Sequence, residues 1–302
     1  MKKLLLKYLF KNSLKKILIY SYLMGNYSSV VQDHITNKYG WVKDLPDKRD
    51  YTFEIKYTKK RTKKRSSNLE YEIDLRNKCP KIYNQGELGS CTANAIAAAY
   101  QFDEINQNEK DIFIPSRLFI YYNERKMEGT INSDSGAQIR DGIKSINKIG
   151  VCSEEIWPYE INKFTDKPTD ECYEVAKNHQ SVIYKRVSQT DSNLRSVLSM
   201  GYPIVFGVAV YESFESDEAK KSGNIPMPAE NEKLLGGHAI LLVGYQENGK
   251  KYIFRNSWGE EWGDKGYGYI PREYILDKDL SSDFWVVEKV KDVDNDSFTT
   301  EL

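Results

Sequence analysis

The sequence predicts an α+β protein of two lobes. Helical patterning holds from Tyr71 to Gly150, and short apolar, strand-like runs take over after Ile204. The 302 residues allow one or two domains, and 40% hydrophobic with 13% aromatic residues are enough to bury a sizeable core. Charged residues at 29% exclude a globally disordered chain. A mean hydropathy of −0.64 excludes a polytopic membrane protein.

Taken in order, the chain begins with a basic, interrupted apolar stretch. Lys11, Lys15 and Lys16 split residues 1–24 into short runs, none near the roughly 18 residues that span a bilayer. Leu4, Leu9, Leu14, Ile17 and Leu18 fit one face of a basic amphipathic helix. It reads first as a helix packing on its own protein, with a signal or membrane anchor left open. Ser90 is placed as the N-cap of a helix over Cys91–Asn106. Pro115 opens a second helix over residues 116–125, and a third runs over residues 137–148 and stops at Gly150. Residues 204–210 and 239–243 are apolar strands, with further strands at 252–254 and 267–270. Between them, Glu247-Asn248-Gly249-Lys250 is a hairpin turn.

The overall charge balances at 44 basic and 44 acidic residues, unlike a dedicated polyanion binder, so no nucleic-acid partner is expected. That zero hides an asymmetry. Residues 1–70 carry 17 Lys/Arg against 6 Asp/Glu, a net of +11, leaving 27 against 38, a net of −11, for residues 71–302. The two parts should attract one another, or the first should serve a separate purpose. Residues 56–65 hold seven basic residues in ten and read as an exposed linker, a protease-sensitive junction or an import patch. Four cysteines and three histidines are too few for a disulfide scaffold or a multi-metal site. No metal or cofactor is expected.

The chemistry is concentrated in Asn84-Gln85-Gly86-Glu87-Leu88-Gly89-Ser90-Cys91. Glycines before a cysteine at a helix start permit a tight turn, and the unpaired N–H groups of a helix N-terminus favour thiolate. His238 stands in Gly236-Gly237-His238 at the start of an apolar strand. Folding about the 247–250 turn brings it to the same end of a hairpin as Asn256-Ser257-Trp258-Gly259. There the Asn256 amide could fix the imidazole tautomer, with Trp258 shielding the contact, as a Cys–His–Asn group requires.

These motifs resemble the papain/cathepsin family of cysteine peptidases, closest to its bacterial and large-virus members. The resemblance covers about residues 71–290: Gln85-Gly86, Gly89-Ser90-Cys91, Asp134-Ser135-Gly136, Trp157-Pro158-Tyr159, Gly237-His238-Ala239 and Asn256-Ser257-Trp258-Gly259, in that order. Cys91 and His238 are 147 residues apart, within the family's range of roughly 130–150. The resemblance implies a papain-like fold, with the nucleophile in a helical lobe and His and Asn in an antiparallel sheet or barrel lobe. It implies Cys91 as nucleophile, His238 as base and later acid, Asn256 as orienting group and Gln85 as oxyanion donor. It further implies a substrate-binding cleft at Ser135, Gly136, Gly237 and Trp258, with Ile204 or neighbouring apolar residues and Gly236 lining a subsite. A polypeptide substrate and a monomer are expected.

Leu88 and Thr92 stand where the family usually has Cys and Trp, leaving Cys79, Cys152 and Cys172 with no obvious pairing. A reducing compartment, a single bridge and secretion all stay open, as does a viral or bacterial source. With no His-rich insertion between Glu124 and Asp134, endopeptidase activity is expected. By the same resemblance, residues 1–66 are a basic pro-segment that lies in the cleft, or a targeting region, and residues 67–302 the catalytic domain. Cleavage is expected within residues 56–65. The rival readings are a catalytically silent scaffold of this fold and another thiol acyltransferase, the latter disfavoured by Asn256.

Overall fold

The computed structural model describes residues 39–53, 69–107, 111–180 and 182–289. The expected N-terminal helix of residues 1–24 and the basic run 56–65 lie outside the described residues. Within them, helices come first and sheet later, as the patterning requires.

Helix α1, Cys91–Asn106, is the centre of the protein: every residue from Cys91 to Glu104 is buried. Its alanines at 93, 95, 97, 98 and 99 keep it thin enough to be covered on all sides, as for a core helix rather than an amphipathic one. Ser90 stands at its N-cap position but makes no capping bond. Its hydroxyl is engaged by Tyr159 and by the Asn94 amide instead, so tertiary contacts displace the local cap. Helix α2, Arg117–Glu128, is capped by Ser116, whose hydroxyl accepts from the Phe119 N–H, and ends at Gly129 with φ 74°. Helix α3, Ile139–Ile149, buries Ile139, Ile143 and Ile146 along one face and stops at Gly150. Gly142 lets it approach closely, since a Cβ there would lie 2.4 Å from Glu124 Oε2 and 2.5 Å from Ile96 Cδ1.

The sheet is built from β1 (Ile73–Asp74), β2 (Val182–Arg186), β3 (Ile204–Tyr211), β4 (Leu234–Gln246), β5 (Lys251–Arg255), β6 (Tyr267–Pro271) and β7 (Ser281–Lys289). All its pairings are antiparallel, in the order β2-β7-β3-β4-β5-β6, with β1 added to the far end of β4. Helix α1 packs against β4 and β7. Among the described residues there are four further short α-helices: α4 (Asp170–Ala176), α5 (Asp191–Ser199), α6 (Asp217–Ser222) and α7 (Arg272–Leu276). The hairpin turn falls as predicted, with left-handed φ at Glu247, Asn248 and Gly249, and its register pairs Gln246 with Lys251 and Leu241 with Arg255. No sequence pattern announced β7, which opens on Ser281-Ser282-Asp283 yet inserts between β2 and β3. All four cysteines are free thiols. Among the described residues no helix is long and apolar enough to cross a membrane.

Candidate active site

Cys91 is the first residue of α1, and the loop before it is held from several directions. Gly86 adopts φ 61°, and its N–H donates to Asn84 Oδ1 at 2.9 Å. The Gly89 N–H donates to the Asp134 carboxylate at 3.0 Å, and Tyr121 donates to the same group. The Tyr159 hydroxyl donates to the Gln85 carbonyl at 3.0 Å. Arg117 donates to the Asn84 carbonyl at 3.2 Å and lies 4.0 Å over the Tyr159 ring. Asp134 and Tyr159 thus buttress the cysteine loop. Their motifs were visible in the sequence, but these contacts were not.

On the sheet side, the hairpin register brings His238 beside Asn256, with His238 Nε2 2.8 Å from Asn256 Oδ1. Trp258 stacks on the imidazole at 4.7 Å between centroids and 22° between planes. Gln85 is fully buried and ties the two sides together. Its N–H donates to the Ser257 carbonyl at 2.8 Å, its Oε1 accepts from Ser257 Oγ at 2.6 Å, and its Nε2 donates to the Leu88 carbonyl at 2.9 Å.

An extended piece of the chain's own N-terminal part lies across this site. The Gly40 and Trp41 N–H groups both donate to the Gly237 carbonyl, at 3.0 and 2.9 Å. The Ala137 N–H donates to the Gly40 carbonyl at 2.7 Å, and the Val42 N–H to the Ala137 carbonyl at 3.0 Å, a parallel bridge. Tyr39 meets His238 and Trp258 edge-on, with centroids 6.3 and 6.2 Å away. Under this cover Cys91 is wholly buried, and burial pushes its thiol up to about 12; backbone N–H groups of Ala239, Gly40 and Thr92 oppose the shift, and Glu124 adds to it. Glu124 is itself fully buried beneath α1 and accepts from Thr92 Oγ1 at 2.6 Å. Burial raises its carboxyl well above the usual range.

The structure brings Cys91, His238, Asn256, Gln85, Gly237 and Trp258 together around this segment. Gly136 belongs there for a steric reason: a Cβ would lie 2.1 Å from the Gly40 carbonyl oxygen. Two expected subsite residues lie apart from the segment's backbone bonds. Ser135 is exposed, its hydroxyl turned to the Gly136 carbonyl, while Ala137 makes the backbone bonds. Ile204 is fully buried in the core, and the β3 residue facing the segment is Gly207, where a Cβ would lie 1.9 Å from Trp41 Cε2. Alternation along a strand puts residues three apart on opposite faces, so the choice depends on register and not on composition.

An extended peptide gripped by backbone bonds between a helix-borne thiol and a strand-borne imidazole defines a thiol enzyme that handles polypeptide chains. Comparison with known proteins narrows this class to one family. Residues 69–283 match the family described as Papain family cysteine protease, and the chain belongs to it. The uncharacterized peptidase C1-like protein L477 of Acanthamoeba polyphaga mimivirus is 46% identical over 278 residues, covering 85% of this chain and 89% of that one. The crystal structure of xylellain, a cysteine protease from Xylella fastidiosa, matches with a TM-score of 0.79 at 41% identity, over 87% of this chain and 100% of that one. Digestive procathepsin L 3 of Tenebrio molitor larval midgut matches with a TM-score of 0.60 over 93% and 90% of the two chains; at 17% identity it shows the fold alone. The protein is a papain-like cysteine peptidase, a hydrolase.

Proposed function

We propose that the chain is a cysteine endopeptidase working through Cys91, His238 and Asn256, and that its own N-terminal part keeps it latent. The observation that carries this reading is the 2.8 Å contact between His238 Nε2 and Asn256 Oδ1 beside the buried thiol. With Nε2–H donated to the amide oxygen, the other ring nitrogen, Nδ1, is the one that exchanges a proton with the thiol. The thiolate attacks the scissile carbonyl, and the oxyanion that forms is met by the Cys91 backbone N–H and the Gln85 amide. His238 then protonates the departing amine, leaving an acyl-enzyme, and deprotonates the water that hydrolyses it. Removing one oxyanion donor costs about 10²–10³ in rate in comparable sites.

Latency follows from what faces the sulfur. The Gly40 backbone, whose N–H donates to the Gly237 carbonyl at 3.0 Å, lies close enough to influence the thiol and takes the place a substrate backbone would need. In this reading residues 1–66 are the pro-segment, residues 67–302 the catalytic domain, and cleavage within residues 56–65 frees the cleft. The test is titration with an epoxide thiol inhibitor, followed by mass mapping, before and after removal of the N-terminal part. Stoichiometric labelling of Cys91 only after removal, together with peptide hydrolysis, is the expected result. Labelling at Cys79, Cys152 or Cys172 but never at Cys91 would overturn the assignment.

A further inference from the structure

A cluster of buried charge lies under the N-terminal segment, away from the thiol. The Asp44 side chain is 0% exposed and that of Asp50 7%; facing them are Arg140, from α3, at 7% and Arg186, at the end of β2, at 26%. Arg186 donates to Asp44 Oδ2 at 2.7 Å, to Asp50 Oδ2 at 3.1 Å and to Asp283 Oδ1 at 3.3 Å. Arg140 holds Asp50 with two bonds, at 2.7 and 3.2 Å, and donates to the Leu45 carbonyl at 2.7 Å. The Trp285 indole N–H reaches Asp44 Oδ2 at 3.2 Å, and the Arg186 guanidinium lies 4.3 Å over the Trp285 ring. Backbone bonds fix the depth of the segment here, since the Phe53 N–H donates to the Arg186 carbonyl at 2.8 Å and the Arg186 N–H to the Tyr51 carbonyl at 2.7 Å.

The division of these groups between segment and domain is informative. Both arginines belong to the catalytic domain, and two of their three carboxylate partners belong to the segment. When the segment leaves, Arg186 keeps Asp283, while Arg140 loses its chelated partner Asp50 and still faces Asp141, on a domain whose residues 71–302 carry a net of −11. Planar guanidinium groups, one chelating a carboxylate and both beside an indole, are suited to reading carboxylates. Of the segment's described basic residues, Lys43 bonds the Lys278 carbonyl at 2.9 Å and Arg49 pairs with Asp47 at 2.7 Å at the surface, both outside the cluster.

We propose that Arg140 and Arg186 form a dicarboxylate-binding site, separate from the catalytic groups, whose ligand is an acidic peptide segment. Asp44 and Asp50 fill it in cis, and that binding seats Tyr39 to Trp41 over Cys91. This rests on the reading that the segment leaves an active cleft. Because breaking one side of a buried ion pair strands the other charge, neutralising the two aspartates unseats the segment, and an acidic peptide supplied in trans takes its place.

The test uses the full chain with Asp44→Asn and Asp50→Asn together. Both changes lie in the segment, and a thermal melt in parallel checks that the domain stays folded. The rate of Cys91 alkylation by iodoacetamide is expected to rise at least about tenfold over the parent, the factor that about 1.4 kcal/mol of lost docking produces. Adding a synthetic peptide of residues 39–53 should restore protection, whereas the same peptide with Asn at 44 and 50 should not. An unchanged alkylation rate, or equal protection by the two peptides, overturns the proposal. Failure of the peptidase reading would appear separately, as a freed Cys91 that alkylates but hydrolyses no peptide.

Discussion

Replacing Trp41 with alanine tests the link between the docked segment and latency. The indole lies between Gly207 and Gly237, where Cβ atoms would come within 1.9 and 2.8 Å of its ring, and its Nε1 donates to Asp283 Oδ2 at 3.1 Å. A tryptophan side chain buries about 150–250 Å², worth about 4–6 kcal/mol at ~25 cal/mol per Å² if fully covered. Trp41 is only partly buried, which brings the expected loss to about half of this, 2–3 kcal/mol. Asp283 keeps Arg186 and the Asp44 N–H, so no carboxylate is stranded. The population with an uncovered thiol therefore rises about 30- to 150-fold. The assay is the second-order rate of Cys91 alkylation in the full chain at fixed pH. The same slot can be closed from the other side: Gly207→Ala puts a methyl into the ring on a strand with no room to move, and should accelerate alkylation comparably. The double variant should add little to either single one, because both remove one contact. A Trp41→Ala rate within twofold of the parent would refute the claim that this contact keeps the thiol covered.

Further outcomes follow from the same geometry. With the segment removed, Asn256→Ala should lower kcat about 5- to 150-fold with little change in KM, the effect of losing one buried orienting hydrogen bond. Glu124, raised well above the usual carboxylate range chiefly by burial, favours the folded state in its protonated form: its contribution is lost as pH rises, so Glu124→Gln should gain in melting temperature over the parent toward alkaline pH.

The sequence by itself determined the candidate catalytic groups and most of the frame around them. Cys91, His238, Asn256 and Gln85 were legible because each depends on local backbone chemistry: glycines ahead of a helix start, Gly-Gly ahead of an apolar run, and a turn that sets one hairpin register. The first three helices and strands β3 to β6 were legible because their apolar residues recur at the periods that burial demands. Strand β7 was not, since its opening Ser-Ser-Asp is paired for tertiary reasons, and nothing in the composition of β3 distinguished Gly207 from Ile204 as the residue facing the cleft. Only the tertiary structure decided that Asp44 and Asp50 meet arginines 90 to 142 residues away. Charged side chains scattered over a loop, a helix and a strand carry no period. Their association is set by how the segment is laid down across the sheet, which no local pattern encodes.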